Sequence, residues 1–460
     1  MVEERKKRGC LRLLFRWSAQ FVVVVGLFLI GAYLFVFWSA LHNYYSLFPK
    51  QAAAWEAIRA QRQDVSLDDG WTEYRGVCHS HSEISHDSEV TFPQILEAAK
   101  VADIDFICMT DHCVEGKADF SWGWSGVHDG VLFVQGFEMD YGFMPWGLPK
   151  DTVLDRNEKP EVLAKQIHEQ GGVLFFAHSE EDRYWDLPEL NGMEIYNIHT
   201  DVKDEGDTDV YLRERAPDFI TSLRAYPDQT MRLLFNRQTA ILKKWDELNK
   251  TRRIVGIAAS DAHQNNGFRG SMTEDGKFLL RMTSPDDGKA YELNFFTRAL
   301  LWLFFGPLEP GRQLFRVDLD PYERSLRYVN THILMNELTE PALIDALRAG
   351  RAFIAFDMIA DARGFVYLAE ADGARAVMGE EIALRDGLTL RAASPYPCRF
   401  SLMKDGAQVA QGEGRTFAHA VTETGNYRIE AEFDIVGEWT PWVYTNPIRV
   451  VGSTTAPEQS

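Results

Sequence analysis

At 460 residues, with 45% hydrophobic and 12% aromatic content, the chain is too long for one ordinary domain and fully able to bury a core, so two globular domains plus an appendage are expected. The formal net charge is −20, yet the first sixteen residues hold six Lys/Arg against two Glu and are +4, so residues 17–460 carry −24. A body that acidic repels phosphate-rich polymers and argues against nucleic acid as partner or substrate. Five cysteines (Cys10, Cys78, Cys108, Cys113, Cys398) are too sparse for a disulfide-built scaffold.

The chain opens on a basic tail, residues 1–16, followed by an uncharged stretch from Trp17 to Leu41. About 20 apolar residues suffice to span a bilayer as a helix. Basic residues precede this stretch and only Lys50 follows closely, so the positive-inside rule puts the amino terminus in the cytoplasm. Everything from His42 onward then lies outside, on the periplasmic face of a single-pass inner or plasma membrane protein. Trp38, Tyr44 and Tyr45 suit the outer aromatic belt. The rival is a cleaved signal peptide, but the apolar core exceeds the usual ~7–15 residues and no small-x-small site follows. Residues 42–70 form a linker with a helical stretch, Gln51 to Arg59, closed by Asp68-Asp69-Gly70.

From residue 71 short apolar runs alternate with helical patterns, and each run ends in metal-ligand residue types. Cys78-His79-Ser80-His81 comes first. Phe106 to Met109 leads to Thr110-Asp111-His112, Val131 to Val134 to Gly136-Phe137-Glu138, Val173 to Phe176 to Ala177-His178-Ser179, and Ile254 to Ala258 to Ser260-Asp261-Ala262-His263. Near-continuous apolar runs suit strands buried on both faces. Phe92 to Ala102, Pro160 to Gln170 and Gln238 to Asn249 read as the intervening helices. Strand, polar tip and helix in alternation predict an α/β barrel with its reactive groups at the strands' carboxyl ends. Imidazoles and carboxylates there are donors for zinc, manganese or iron.

Residues 202–237, charged and carrying Pro217 and Pro227, read as an irregular insertion over the barrel mouth. Leu293 to Phe305 is strongly apolar, but its uninterrupted part reaches only about 10 Å as a helix against roughly 30 Å of hydrocarbon. It is either a buried core helix or an interfacial element touching the outer leaflet. Glu340 to Arg348 is a helix stopped at Gly350, followed by a strand from Ala352 to Phe356. Residues 71–360 thus form the barrel with its insertions. From 364 to 452 short alternating strands (Phe365 to Ala369, Leu388 to Ala392, Arg399 to Met403, Tyr427 to Phe433, Trp442 to Val451) predict a β-sandwich. The polar tail 453–460 is expected to be disordered.

The five islands, in this order, resemble the PHP (polymerase and histidinol phosphatase) family, a distorted α/β barrel of metal-dependent phosphoesterases. Its motifs are His-x-His, Thr-Asp-His, Gly-x-Glu, Ala-His-Pro and a late Asp-x-His, and the resemblance covers residues 72 to 263. It implies metal ligands at His79, His81, Asp87, His112, Glu138, His178, Asp261 and His263, with His86 as the alternative to Asp87. Two departures stand out. Val77-Cys78 replaces the family's Asp-Leu, which removes a carboxylate that would orient the first imidazole. Between Met139 and Ala177 the family often has another His, whereas this chain has only His168, in a predicted helix. Asp140, Asp151 or His199 are the possible replacements.

The implied function is a membrane-anchored, extracytoplasmic phosphoesterase holding at least one divalent ion and, in the fuller reading, two, with a small phosphorylated or ester substrate. Metal lowers the pKa of a bound water towards ~7. Asp261, Glu138 and His263 are the catalytic candidates: in the family a Glu at this position bridges two ions, and Asp261 would ligate and orient the nucleophile. Asp111 is expected to fix the tautomer of His112. Arg183, Arg269 and His199 are candidates for substrate binding, with a solvated surface charge as the bland reading of both arginines. His128, His332 and His419 read as satisfied structural histidines. Two other readings use the same residues: a carbamate, ester or amide hydrolase, and a non-catalytic ectodomain stabilised by metal.

Overall fold

Apolar runs that bury both faces need a strand on each edge and further layers above and below, and the computed structural model of this chain supplies both. It describes residues 2–198, 200, 208–265, 267–282 and 289–452. They divide into two units, Met1–Glu56 with Glu205–Phe235, and Ala57–Asp204 with Asn236–Ser460.

The smaller unit is helical. The helix Val2–His42 runs through a π-helical turn, Asn43–Leu47, into the helix Phe48–Arg59. It is the one helix among the described residues long and apolar enough to cross a membrane, with mean hydropathy 2.3 over its most apolar window. Phe28, Phe35 and Trp38 are exposed along it. Residues 208–222 and 227–232 are helices rather than the irregular insertion expected from their charge and prolines, and they belong to this unit. Asn43 donates to Asp218 at 2.8 Å, and the Tyr226 ring packs against Tyr44 and Phe48.

The larger unit is mixed α/β around an 18-stranded sheet. Nine strands position the site: β1 (Thr72–Ser80), β2 (Phe106–Cys108), β3 (Val131–Val134), β4 (Phe143–Trp146), β5 (Val173–Phe176), β6 (Leu190–Asn197), β7 (Val255–Ala262), β8 (Asn330–Met335) and β9 (Ala352–Ala355). The first seven lie in the order β3-β2-β1-β7-β6-β5-β4, all parallel except β4 against β5. A bridge between Gly136 and Trp146 links the segment after β3 to β4. One edge of β1 serves two partners, with Thr72–Gly76 antiparallel to β8 and the carboxyl end parallel to β7.

Both faces of these strands are buried. Cys78, Phe106, Cys108, Leu132, Val134, Val173 and Phe175 form one apolar cluster. Val77, Ile107, Val131 and Phe133 pack with Ile95, Ala98 and Ala99 of the helix Phe92–Ala102 in another. Burying each such aliphatic or aromatic side chain is worth about 1.5–3 kcal/mol. That helix starts at a capping box, Thr91 with Gln94, and ends at Asp103 in the left-handed region at φ 57°. The helices Pro160–Glu169 and Thr239–Asn249 precede β5 and β7.

Between β7 and β8 stands an antiparallel sheet that the sequence pattern does not reveal. Its strands are ordered Lys289–Tyr291, Phe278–Met282, Gly267–Met272, Gln313–Asp318. The helix Phe295–Phe305 follows its third strand in sequence and buries none of its residues. The core-helix reading of Leu293 to Phe305 is therefore overturned. Phe296 is 81% exposed and Leu303 71%, and the helix is tied to the sheet by Phe305 stacked on Phe315 and by Arg298 donating to the Gly276 carbonyl at 3.1 Å.

Beyond residue 364 the strands form mostly antiparallel ladders, with Glu381–Ala383 parallel to Ile448–Val451, and they join the main sheet where Glu438–Thr445 pairs with β9. Leu388 to Ala392 and Arg399 to Met403 are parts of one strand, Thr389–Lys404. Its register against Ala407–Ala420 breaks between Ala393 and Cys398, where Pro395 and Pro397 cannot donate to the ladder.

Candidate metal centre

β1 carries His79 next to its carboxyl end at Ser80, and His81 follows directly after the strand. The register of β1 against β7 shifts between Cys78 and Ser80, and His79 sits at that irregularity with φ 80°. Bulges re-aim side chains, which is the effect here. His112 and Glu138 face each other across two short parallel strands, Asp111–His112 and Phe137–Glu138. His178 lies just beyond β5 and Asp261 is the next-to-last residue of β7, with φ 49° and 47°. Backbone in that region costs a non-glycine residue roughly 1–3 kcal/mol and collects at functional sites.

These turns bring all eight expected donors together. His79 Nε2 lies 3.0 Å from His81 Nε2, 3.5 Å from Glu138 Oε2 and 3.2 Å from Asp261 Oδ1. His178 Nε2 is 3.1 Å from Glu138 Oε1 and 3.7 Å from Asp261 Oδ2. Asp87 Oδ2 lies 3.5 Å from His112 Nε2 and 3.3 Å from His263 Nε2. The donors fall into three overlapping groups, His81/Asp87/His112/His263, His79/His178/Asp261 and His79/His81/Glu138, each with its atoms within 4.8 Å of one another. Asp87 Oδ1 is buried and has no hydrogen-bond partner. This donor set suits a borderline divalent cation.

No protein-family model matches the chain, and no curated protein matches it. Among solved structures it is similar to a two-domain protein from Bacteroides vulgatus that contains a predicted PHP-like metal-dependent phosphoesterase. That likeness covers 84% of this chain and 98% of the other, at 12% identity and a TM-score of 0.36. At that similarity the side chains, not the alignment, carry the chemistry.

The residues around the donors hold them in place. His79 Nδ1 lies 2.5 Å from Glu194 Oε1, and Glu194 Oε2 accepts from the His178 backbone N–H and from Asn197 Nδ2, both at 2.8 Å. The carboxylate missing before His79 in sequence thus comes from β6. Asp111 accepts from Ser82 and from Ser85 Oγ at 3.0 Å, and Ser85 Oγ also meets His81 Nδ1 at 3.0 Å. Asp111 therefore fixes His81 through Ser85, not His112 as expected. The Tyr322 hydroxyl lies between the carbonyls of His81 and Ala262 beneath the cluster.

The electrostatics describe a strongly anionic pocket. Burial alone would depress His79, but Asp261, Glu194 and Glu138 hold its imidazolium well above the usual value. Burial likewise opposes protonation of His178 and His263. Glu138 and Asp261 nevertheless raise the first to about 9, and Asp87 and Asp261 raise the second to about 9. Burial and neighbouring His263 push His81 down to about 3. Burial raises carboxyl pKa values, yet His79 and His178 keep Glu138 well below its ordinary range.

The remaining candidates lie elsewhere. The Arg183 side chain is 8% exposed; it donates to the Ala177 carbonyl at 2.9 Å and pairs with Glu181, so it braces the turn before His178. Arg269 pairs with Glu89 at 2.7 Å and lines a cavity that Asp87 also lines. Asp140 is bound by Arg156, while Asp151 and His168 are exposed. The His86 ring packs on His112, 5.0 Å between centroids, and stands outside the donor groups. His199 lies outside the described residues.

Proposed function

We propose that the protein is a membrane-anchored hydrolase of the PHP type that cleaves a phosphate ester outside the cytoplasm, on a distorted barrel followed by a β-sandwich. The observation that carries this reading is the convergence of eight imidazole and carboxylate donors at the carboxyl ends of parallel strands, three of them on backbone in the left-handed region. His79, His81, Glu138, His178 and Asp261, completed by Asp87, His112 and His263, would hold two ions of zinc, manganese or iron. Such ions supply Lewis acidity and bring the pKa of a bound water towards ~7.

The chain's own residues do the rest. Glu194 engages Nδ1 of His79 and so leaves Nε2 facing the cluster, and Ser85 does the same for His81. Asp261 orients the attacking water and receives its proton. Arg269 balances negative charge on the substrate. The uncharged stretch 17–41 anchors the chain with the amino terminus in the cytoplasm, and the exposed helix Phe295–Phe305 rests on the outer leaflet.

The test is metal analysis of the full chain purified in mild detergent, with assays on aryl phosphate mono- and diesters and on carboxyl esters. Glu138→Gln and His178→Ala should each lose most metal and at least 100-fold in activity while keeping the wild-type melting behaviour of the metal-free protein. Wild-type protein without stoichiometric transition metal, or cleaving only carboxyl esters, would refute the assignment.

A further inference from the structure

The sheet between β7 and β8 carries a row of like charges. Arg269 stands directly opposite Arg281 on one neighbouring strand and opposite Arg316 on the other. Side chains directly opposite one another in antiparallel strands point to the same face, and like charges placed so are destabilising. Two carboxylates meet three guanidinium groups here: Glu89 accepts from Arg269 at 2.7 Å and Asp318 pairs with Arg316 at 2.7 Å. Arg281 is exposed. Arg269 Nε is buried and has no hydrogen-bond partner, a donor left over for an acceptor from outside the chain. A positively charged row is unexpected in a chain of net charge −20.

The row also has an address. Arg269 and Arg316 line a cavity of about 470 Å³ together with Glu89, Gln264 and Asp87, and the Asp87 carboxylate belongs to the metal-ligand cluster. One cavity therefore borders both a cation site and a cationic row. Glu89 lines that cavity beside Arg269 and Arg316 and is held there by its 2.7 Å pair with Arg269. Its side chain is 54% exposed, so it is free to swing away when another anion takes its place.

We propose that the row Arg281, Arg269, Arg316 binds a second phosphate carried by the substrate's leaving alcohol, so that the preferred substrate is an organic bisphosphate rather than a simple monoester. Guanidinium groups match phosphate oxygens two at a time, and Glu89 occupies the row until the substrate arrives. Calling this phosphate part of a substrate rests on the proposed function; that the row binds phosphate does not.

The experiment is calorimetric titration of the metal-loaded full chain in detergent with inorganic phosphate, beside the double variant Arg281→Ala/Arg316→Ala. Wild type should bind two phosphates, one at the metals and one at the row, and the variant one. If the metal reading fails, the counts become one and none, and the row stands alone. Equal stoichiometry and affinity in the two proteins overturns the proposal, as does acetate binding the row as tightly as phosphate. Should the double variant fold poorly, Glu89→Gln decides: it should tighten the row's phosphate at least threefold, and unchanged affinity refutes the proposal.

Discussion

Glu194 is the residue whose replacement tests the metal centre most sharply, because its two oxygens have different duties. One meets His79 Nδ1 at 2.5 Å; the other accepts from the His178 N–H and from Asn197. Glu194→Gln keeps the shape but gives one end two hydrogens. If the amide oxygen serves His178 and Asn197, the amide nitrogen faces His79, and the imidazole must carry its proton on Nε2. That nitrogen is the one facing His81, Glu138 and Asp261, and a protonated nitrogen cannot bind a metal. If the amide is turned the other way, two donors meet at His178. Loss of such an orienting partner typically weakens metal binding about 10–100-fold, or roughly 1.4–2.8 kcal/mol. The metal-free fold should hold, since the change removes one buried anion from a cluster that already contains Glu138 and Asp261. Competition with a chromogenic chelator measures the affinity, and a melting curve of the stripped protein controls for folding. A variant that folds normally and binds metal within twofold of wild type would refute the orienting role.

Three further outcomes are expected. Burial disfavours a charged His332, but Asp357 and Glu73 outweigh it and raise its pKa to about 9. A pKa raised in the fold stabilises the protein fully below the unfolded value near 6.5, and that contribution disappears as pH rises through 9. The shift corresponds to about 3 kcal/mol, so wild type should lose that much more stability than His332→Gln between pH 6 and 10 in chemical denaturation, and parallel profiles would contradict it. For the exposed helix, Leu303→Asp with Phe304→Asp should leave the melt within about 0.5 kcal/mol, because both side chains are 71% exposed. A dye on Leu303→Cys in the full chain in nanodiscs should be quenched by spin-labelled lipid; no quenching removes the leaflet contact. Finally, His178 has φ 49°, so His178→Gly should be more stable than His178→Ala by about 1 kcal/mol in metal-free protein, and a lower melting point for the glycine variant would contradict the strain.

What was legible in the sequence were features that neighbours along the chain encode. A run such as Val173 to Phe176 ending at Ala177-His178 announces both a buried strand and a polar tip, and the structure gathers the tips of β1, β2, β3, β5 and β7 into one cluster. What was hidden depends on partners far apart in sequence. Glu194 looks like a stray charge in a strand, and the one signal it gives is an acidic residue where burial should exclude one; it is 1% exposed. The partners of Asp111 stand 26 and 29 residues away. Arg183 offered a free cation by composition, but folding turns it inward onto Ala177. The row Arg281, Arg269, Arg316 arises only from strand register, which no local pattern discloses.

Two buried histidine sites in this chain contrast a completed ion network with the candidate metal centre. Around His332 both ring nitrogens and all four carboxylate oxygens of its two partners are used. Glu73 Oε1 and Asp357 Oδ2 take the two ring nitrogens at 2.6 and 2.8 Å, while Gly364 N–H and Ala362 N–H donate to the other two carboxylate oxygens. The backbone of His332 lies outside the positive-φ set. Such a network is complete as it stands, and a cation would have to break bonds to enter. Around His79 the chain does the opposite. Nε2 atoms of His79 and His81 approach each other at 3.0 Å, where two like nitrogens gain little, and Asp87 Oδ1 is buried without a hydrogen-bond partner. Three of the donors sit on strained backbone. Uncompensated costs of this kind gathered at one point are what a binding site requires, since the missing stabilisation arrives with the ligand.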